Sequence, residues 1–338
     1  MLFRQLFDQD SCSYTYLLAR DYGGEAILID PVLCKVDQYM KLLKEMRLKL
    51  VKVVDTHVHA DHITAAPVLR DRTRCITVMG EQSSVDSVSQ RISDGEIIAI
   101  DGVSLTALYT PGHTDDSYCF LMPDRVFTGD TLLIRGTGRT DFQGGSASEE
   151  YDSIISKLLT LPDDTLVFPG HDYKGDTVST IGEEKQHNPR LQVEGKAAFI
   201  AVMENLNLAN PKMMDVAIPA NQQVAMVQQE IDEQGWSFSA AKLRDLLATD
   251  GALLVDLRED AEREKCGYIE SSVNIQYNNI DDALAENGVL KVLAKGTQKR
   301  LVFYCAYGER SAMALLAARE TGIECFHLKG GMAAWSHR

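Results

Sequence analysis

The chain has 338 residues, 45% of them apolar, and a formal net charge of −15. This length favours two domains. An acidic chain without a run of Lys and Arg is a poor nucleic-acid binder, because phosphate contacts need clustered cations. No apolar stretch approaches the roughly 20 residues of a membrane span, and the N-terminus lacks the long apolar region of a signal peptide. We therefore expect a soluble, cytoplasmic protein that does not bind membranes or nucleic acids.

Four apolar runs in the first part of the chain predict strands, and each is followed by a turn that carries His or Asp. The runs are residues 50–55, 105–109, 124–127 and 166–168. The polar residues after the first run are His57, His59, Asp61 and His62, and those after the later runs are His113, Asp130 and His171. Strand ends place side chains at a sheet edge where a ligand can reach them. Imidazole and carboxylate groups suit zinc or iron, so the pattern predicts a metal site.

A second α/β pattern begins near residue 237. We predict a first domain at residues 1–223, a linker at 224–237 and a second domain at 238–338. Within the second domain, the predicted strands are residues 252–256, 300–304 and 323–328, and the predicted helices are 239–247, 281–293 and 311–320. Strands that alternate with helices predict a parallel sheet covered on both faces.

The seven cysteines are widely spaced and form no C-x-x-C pair, which argues against a disulfide framework or a zinc knuckle. Cys305 differs from the others, because it stands between a predicted strand and a predicted helix. Backbone N–H groups and the helix dipole converge at such a loop and favour a nucleophilic thiolate. Arg310 adds a positive charge, and Gly308 permits a tight turn.

The order of motifs from about Phe3 to Gln223 resembles the metallo-β-lactamase superfamily. The resemblance implies an αββα sandwich, in which two mixed sheets pack face to face with helices outside. In hydrolases of this superfamily the matching residues hold two metal ions. The first ion would be held by His57, His59 and His113, the second by Asp61, His62 and His171, with Asp130 bridging them. A dinuclear zinc thioester hydrolase of the glyoxalase II type therefore stays open as an alternative.

Residues 128–142 closely resemble the persulfide dioxygenases of the ethylmalonic-encephalopathy protein family, as do 28–32, 57–64 and 171–173. This resemblance implies one Fe(II) per chain, held by the metal ligands His57, His113 and Asp130. Residues that would then orient ligands or water are His59, Asp61, His62 and His171. Arg139 and Tyr173 are the candidates for binding glutathione persulfide, an anionic peptide-like substrate. A structural ion pair of Arg139 with Asp141, and core packing of Tyr173, are the alternatives.

The loop from Cys305 to Ser311 resembles the active-site loop of rhodanese sulfurtransferases, and the match covers about residues 238–337. The resemblance implies that Cys305 is the nucleophile and that the following residues cradle its persulfide. These residues are Ala306, Tyr307, Gly308, Glu309 and Arg310. Tyr268 departs from the family's usual histidine. Four residues separate Cys305 from Arg310, fewer than in phosphatase loops, which favours a sulfur over a phosphate.

Together the two resemblances imply a bifunctional enzyme of α/β class: a metallo-β-lactamase sandwich followed by a rhodanese domain with a central parallel sheet. The expected sulfurtransferase moves sulfane sulfur from thiosulfate to glutathione, and the dioxygenase oxidises glutathione persulfide with O₂ to sulfite. A second alternative is a rhodanese part that only accepts sulfur. The physiological sulfur donor, the thiol carrier and any homo-oligomer stay open.

Overall fold

The computed structural model describes residues 1–85, 88–206, 208, 213–222 and 231–336. The chain divides into two compact units, of which the first comprises Met1–Leu69, Thr77–Val85 and Arg91–Gln222. The second comprises Arg70–Ile76, Asp86–Gln90 and Gln223–Arg338. Residues 224–230 of the predicted linker lie outside the described residues. Among the described helices, none combines the length and apolar composition that a membrane span requires.

The N-terminal part of the chain contains two six-stranded mixed sheets, in the orders β1-β2-β3-β4-β5-β6 and β14-β13-β10-β9-β8-β7. The strands of the first are β1 Leu2–Asp8, β2 Ser13–Ala19, β3 Glu25–Ile29, β4 Lys49–Val54, β5 Ile76–Gly80 and β6 Gln90–Ile92. Those of the second are β7 Ile97–Ile100, β8 Val103–Tyr109, β9 Tyr118–Leu121, β10 Arg125–Gly129, β13 Leu166–Pro169 and β14 Ser179–Thr180. A small hairpin pairs β11 Leu132–Leu133 with β12 Gly136–Thr137.

The two sheets pack face to face through aromatic side chains. The ring of Tyr16 on β2 lies 4.9 Å from that of Phe127 on β10 and 5.7 Å from that of Phe168 on β13. Strand β2 is buried along its whole length, as expected for an apolar strand covered on both faces. The helices of this part are α1 Val36–Glu45, α2 Ala66–Thr73, α3 Ala147–Ser153, α4 Ile181–His187, α5 Gly195–Glu204 and α6 Met214–Gln222. A π-helical segment, Ile154–Leu158, continues α3.

The C-terminal part is built on a five-stranded sheet in the order β15-β19-β18-β16-β17. Its strands are β15 Ser237–Phe238, β16 Ala252–Asp256, β17 Val273–Asn274, β18 Arg300–Tyr304 and β19 Cys325–Leu328. All four pairings are parallel, which confirms the predicted sheet type. The helices are α7 Ala240–Ala248, α8 Asp260–Cys266, α9 Ile280–Leu284, α10 Val289–Gly296, α11 Glu309–Glu320 and α12 Gly331–Ser336.

A local capping signal explains where α7 begins. Ser239 caps α7 by accepting a hydrogen bond from the backbone N–H of Lys242, at the predicted position. The prediction of one helix over residues 281–293 is wrong, because the chain forms α9 and α10 with a break between them. Gly288 takes an extended conformation at the start of α10, and a Cβ there would lie 2.3 Å from the Ala283 carbonyl oxygen. The close approach of the two helices at this glycine ends the first and starts the second.

Candidate metal centre and cysteine loop

His57 follows the end of β4 and presents one ring nitrogen to the centre. The hydroxyl of Thr56 donates to Asp30 Oδ2 at 3.0 Å, so its oxygen accepts from His57 Nδ1 at 2.9 Å. The proton of a neutral ring therefore lies on Nδ1, and Nε2 carries the free lone pair that a metal needs. Burial, with His59 and His113 nearby, lowers the pKa of His57 well below its ordinary value and keeps the ring neutral.

His113 is oriented in the same way by a different partner. Its Nδ1 donates to the main-chain carbonyl of Arg139 at 2.7 Å, so the lone pair of a neutral ring lies on Nε2. This nitrogen lies 3.6 Å from Asp130 Oδ2. The loop that carries Arg139 passes close to the ring, because a Cβ on Gly138 would lie 2.7 Å from His113 Nδ1.

Asp130 lies directly after β10 and offers one carboxylate oxygen to the same centre. Its Oδ1 accepts a hydrogen bond from His171 Nδ1 at 2.7 Å, so Oδ2 is the oxygen that faces His113. Burial acts to raise the pKa of Asp130, but the neighbouring His171 lowers it below its ordinary range, and the group is ionised. A Cβ on Gly170 would lie 2.6 Å from Oδ1, so only glycine fits there.

These three side chains fit a metal ion. Their ligand atoms all lie within 4.8 Å of one another, and the three residues are buried. Each contributes one unprotonated atom: the Nε2 atoms of His57 and His113 and Oδ2 of Asp130. Two imidazoles and one carboxylate form the set that non-heme Fe(II) oxygenases use, with further coordination positions left open.

His171 joins the two acidic groups of the site instead of presenting a free nitrogen. Its Nδ1 contacts Asp130, and its Nε2 lies 2.9 Å from Asp61 Oδ2. Carboxylates only accept, so both ring nitrogens donate and the ring is an imidazolium. Burial opposes this charge, but Asp130 and Asp61 raise the pKa of His171 well above its ordinary value.

His59 and His62 each leave one buried nitrogen without a hydrogen-bond partner among the described residues. These atoms are His59 Nδ1 and His62 Nε2. The other nitrogen of each ring contacts a carboxylate, Asp30 at 3.2 Å for His59 and Asp61 at 2.8 Å for His62. His59, Asp61 and His62 thus form a second group of potential metal ligands, whose ligand atoms lie within 4.8 Å of one another.

A cavity of about 240 Å³ opens beside the metal candidates. Its wall includes His113 and Asp130 together with the cationic side chains of Arg139, Lys174 and Arg190. Cations beside a metal centre suit an anionic substrate. The cavity lies in the first unit.

The two predicted substrate-binding residues both line this cavity. Arg139 makes the alternative ion pair, with Nε and Nη2 at 2.6 and 2.7 Å from the Asp141 carboxylate. Tyr173 is 71% exposed, so it is not a core residue, and its ring stacks on that of His171 at 5.9 Å. Both side chains are thus placed at the rim of the metal centre.

The residues of this site that were not predicted include Asp30, Thr56, Lys174 and Arg190. Asp30 and Thr56 fix the His57 ring, and Arg190 holds the loop that carries Arg139 through bonds to the carbonyls of Thr137 (2.6 Å) and Gly138 (3.1 Å). The sequence signal for Arg190 is weak: it follows an Asn-Pro pair that ends a helix. Asp30 and Thr56 have ordinary residue types for a strand end, and only the fold brings them together.

Cys305 lies immediately after β18 and is almost fully buried, with 1% exposure. The backbone N–H of Gly308 points at its sulfur, with N and Sγ 3.1 Å apart. Gly308 has a φ of 97°, a left-handed conformation that favours glycine, and it begins α11. Ala306 and Tyr307 are half-buried and form the accessible side of the loop. The loop therefore turns a backbone donor toward the sulfur at a helix N-terminus.

Arg310 and Glu309 are buried at the start of α11. Arg310 makes two charged hydrogen bonds to the carboxylate of Glu262, at 2.6 and 2.7 Å. Burial opposes the charge, yet Glu262 raises the pKa of Arg310, which stays cationic. Its Nε is buried and has no hydrogen-bond partner among the described residues, and the guanidinium interacts electrostatically with Cys305.

Comparisons with known proteins agree with both parts of the chain. Residues 11–85 and 78–171 match the family model described as Metallo-beta-lactamase superfamily, and residues 239–338 match the Rhodanese-like domain. A Mus musculus protein named Persulfide dioxygenase ETHE1, mitochondrial is 46% identical over 224 residues, which is 65% of this chain and 87% of that protein. The Homo sapiens protein of the same name is 45% identical with the same coverage.

Solved structures extend this likeness to the fold. The crystal structure of ETHE1 from Myxococcus xanthus has 52% sequence identity and a TM-score of 0.64, and the match covers 66% of this chain and 98% of that one. A metallo-beta-lactamase from Staphylococcus aureus, at 22% identity, covers 98% of each chain with a TM-score of 0.61, a likeness of fold alone. The chain therefore belongs to the ETHE1 family of persulfide dioxygenases, and a rhodanese-like domain follows its metallo-β-lactamase part.

Proposed function

We propose that the chain is a bifunctional enzyme of sulfur metabolism: an iron-dependent persulfide dioxygenase and a thiosulfate sulfurtransferase. One observation supports the first activity most strongly. His57, His113 and Asp130 each have one nitrogen or oxygen free to bind a metal. The other nitrogen or oxygen of each side chain is hydrogen-bonded, to Thr56, Arg139 and His171 respectively. Bound Fe(II) would supply the redox chemistry that allows O₂ to react with a sulfur centre. We also propose that the first domain ends at residue 223 and that the second begins at residue 238.

The surrounding residues would bind and orient glutathione persulfide. Arg139 and Lys174 attract its carboxylates, and Tyr173 offers an exposed ring and hydroxyl at the rim of the cavity. The His171 imidazolium, anchored between Asp130 and Asp61, keeps the Asp130 carboxylate turned toward the centre. These contacts support an anionic thiol derivative as the substrate and glutathione as the released product.

At the second site, Cys305 would act as the nucleophile of sulfur transfer. Its thiolate attacks the sulfane sulfur of thiosulfate; a sulfur–sulfur bond forms, the old one breaks, and its electron pair leaves with sulfite. Glutathione thiolate then attacks the outer sulfur of the Cys305 persulfide, which gives glutathione persulfide and regenerates the Cys305 thiolate. The Gly308 N–H, the Arg310 guanidinium and the N-terminus of α11 support the anionic sulfur. Ala306, Tyr307 and Glu309 complete the proposed cradle.

A pair of variants tests this division of labour in the full-length chain. Cys305→Ser should abolish thiosulfate:glutathione sulfur transfer and leave O₂ uptake with supplied glutathione persulfide unchanged. His113→Ala should abolish O₂ uptake, release iron and leave sulfur transfer unchanged. Loss of both activities in either folded variant would contradict two independent sites.

One observation favours a second candidate function, a dinuclear zinc thioester hydrolase. The unpartnered Nδ1 of His59 and Nε2 of His62 are donors of the kind that a second metal would use. Against it, Asp30 raises the pKa of His59 to about 9 despite burial, and a protonated ring does not bind metal. Hydrolysis of S-lactoylglutathione by the protein loaded with two zinc ions would support this candidate.

A further inference from the structure

Two residues from early in the sequence hold the loop at the start of α11. Arg70 and Ser89 come far before the matched residues 239–338, yet both belong to the second compact unit. Arg70 Nη1 donates to Glu309 Oε1 at 2.6 Å, and the Ser89 hydroxyl donates to Glu309 Oε2 at 2.9 Å. Arg310 Nη2 donates to the Ser89 carbonyl at 2.7 Å. Both charged residues of the loop are thus held by groups from outside the matched domain sequence.

The ion pair of Arg70 with Glu309 is almost out of contact with water. The two side chains are 3% and 5% exposed. Burial opposes the charge of Arg70, but Glu309 raises its pKa, so the guanidinium stays cationic. Arg70 Nε also contacts Asp71 at 2.7 Å, but the Asp71 side chain is 43% exposed and water screens its charge. Removal of either member of a buried pair leaves the other charge without compensation in a medium of low dielectric constant.

A second buried pair, Arg310 with Glu262, belongs to the same loop. The positive and negative charges of the two pairs cancel in sum, so the Gly308 N–H and the N-terminus of α11 set the potential at the Cys305 sulfur. Both contribute a positive potential, which favours the approach of an anionic sulfur donor. An unpaired Glu309 carboxylate, four residues after Cys305 in the sequence, would oppose this potential.

We propose that Arg70 is a positioning residue of the cysteine site: it acts through Glu309, whose negative charge it neutralises, and so keeps the potential at the Cys305 sulfur positive. Ser89 holds the Glu309 carboxylate with its hydroxyl and Arg310 with its carbonyl. This inference rests on the proposed role of Cys305 as the nucleophile that meets anionic sulfur donors. It adds to that role two residues that the loop motif does not contain.

The test compares the alkylation of Cys305 by anionic iodoacetate and by neutral iodoacetamide in the full-length chain, followed by mass spectrometry of the Cys305 peptide. The ratio of the two rates cancels the thiolate fraction and reports the potential at the sulfur. Arg70→Met should lower the iodoacetate-to-iodoacetamide ratio about fivefold, and Glu309→Gln, which leaves Arg70 unpaired, should raise it about fivefold. The double variant, Arg70→Met with Glu309→Gln, should return the ratio to within about twofold of the wild-type value.

Opposite signs distinguish an effect of charge from damage to the loop, because damage gives no reason for the ratio to rise in one variant and fall in the other. Arg70→Lys keeps the charge and should keep the ratio. Arg74→Met is the matched control, since it removes a cation of the same segment that pairs with Asp281 at 3.1 Å, and it should change the ratio by less than about twofold. Equal ratios in Arg70→Met, Glu309→Gln and the wild type, or shifts of the same sign in both variants, would overturn the inference.

Glu309→Gln keeps the test decisive if Arg70→Met does not fold, because its amide has the same size and can still accept from the Ser89 hydroxyl. An unchanged ratio in that variant would by itself overturn the inference, as would a wild-type Cys305 that reacts with neither reagent. The alkylation readout does not depend on sulfur transfer. Wild-type protein that moves no sulfur but shows these opposite shifts would contradict the proposed sulfurtransferase and keep the role of Arg70.

Discussion

His113 Nδ1 donates a 2.7 Å hydrogen bond to the main-chain carbonyl of Arg139, so the loop that carries the proposed substrate-binding side chain also orients a proposed metal ligand. The contact separates two roles of one residue. The backbone of Arg139 sets the tautomer of His113, and its side chain faces the cavity. Substitutions of the loop backbone and of the side chain should therefore have different effects.

Gly138→Ala tests the backbone role. The new Cβ would lie 2.3 Å from the Asp130 carbonyl oxygen and 2.7 Å from His113 Nδ1, so the loop must move and the His113 hydrogen bond is lost. Loss of such an outer contact weakens metal binding by about 10- to 100-fold. Gly136→Ala is the matched control, because its Cβ meets nothing closer than 3.9 Å. Iron affinity measured by chelator competition should fall only in the first variant; equal affinities would contradict this role.

Arg139→Met tests the side-chain role. Loss of a charged hydrogen bond to substrate costs about 1.5–3 kcal/mol, so KM for glutathione persulfide should rise about 10- to 100-fold while iron content stays the same. Asp141→Asn provides the control, since it removes the ion-pair partner and keeps the cation. If KM instead rises equally in both variants, the ion pair and not substrate binding is the function of Arg139.

Thr56→Val should weaken the metal site without touching a ligand. The isosteric side chain removes the hydroxyl that accepts from His57 Nδ1 and donates to Asp30, so the ring loses its fixed tautomer. We expect a loss of iron affinity of about 10- to 100-fold. Thr56→Ser keeps the hydroxyl and should retain wild-type affinity in the same chelator titration. Wild-type affinity in the valine variant would show that Thr56 does not orient His57.

His327 should make the second unit sensitive to mild acid. Burial lowers the pKa of His327 in the folded chain from its ordinary 6.5 to about 4, so the unfolded chain binds the extra proton between these values and stability falls as pH decreases. From pH 7 to pH 5 this lowers the free energy of unfolding by about 2 kcal/mol. Both tryptophans, Trp236 and Trp335, lie in the second unit and report its urea unfolding. His327→Leu should lose this pH dependence; an equal decrease in the variant would contradict the assignment.

Much of the candidate metal site could be predicted to lie together, because strand ends carry its residues. His57, His113 and Asp130 each follow a short apolar strand and a turn, a pattern that repeats locally along the sequence. The residues that orient them were not predictable, because Asp30 meets Thr56 only after β3 and β4 pair in parallel. The role of the Arg139 carbonyl could not be predicted from side-chain types, because this group belongs to the main chain.

In the second unit, too, local elements could be predicted from the sequence, but contacts between distant residues could not. Three of its five strands, β16, β18 and β19, and the loop at Cys305 were predicted from apolar runs and a helix start. The two-residue strands β15 and β17 were not predicted, and the break at Gly288 was missed, since the apolar residues on either side continue a helical pattern. The contacts that join Cys305 to Ser311 and Ser311 to His327 were also missed. Position 327 lies in an apolar strand, and its neighbours Ser237 and Ser311 are far from each other in the sequence.

Metal analysis combined with oxygen-electrode measurement tests the central claim most directly. Protein prepared without oxygen should contain one iron per chain and consume O₂ when glutathione persulfide is added, with sulfite as product. Two zinc ions per chain, with S-lactoylglutathione hydrolysis and no persulfide-dependent O₂ uptake, would contradict it.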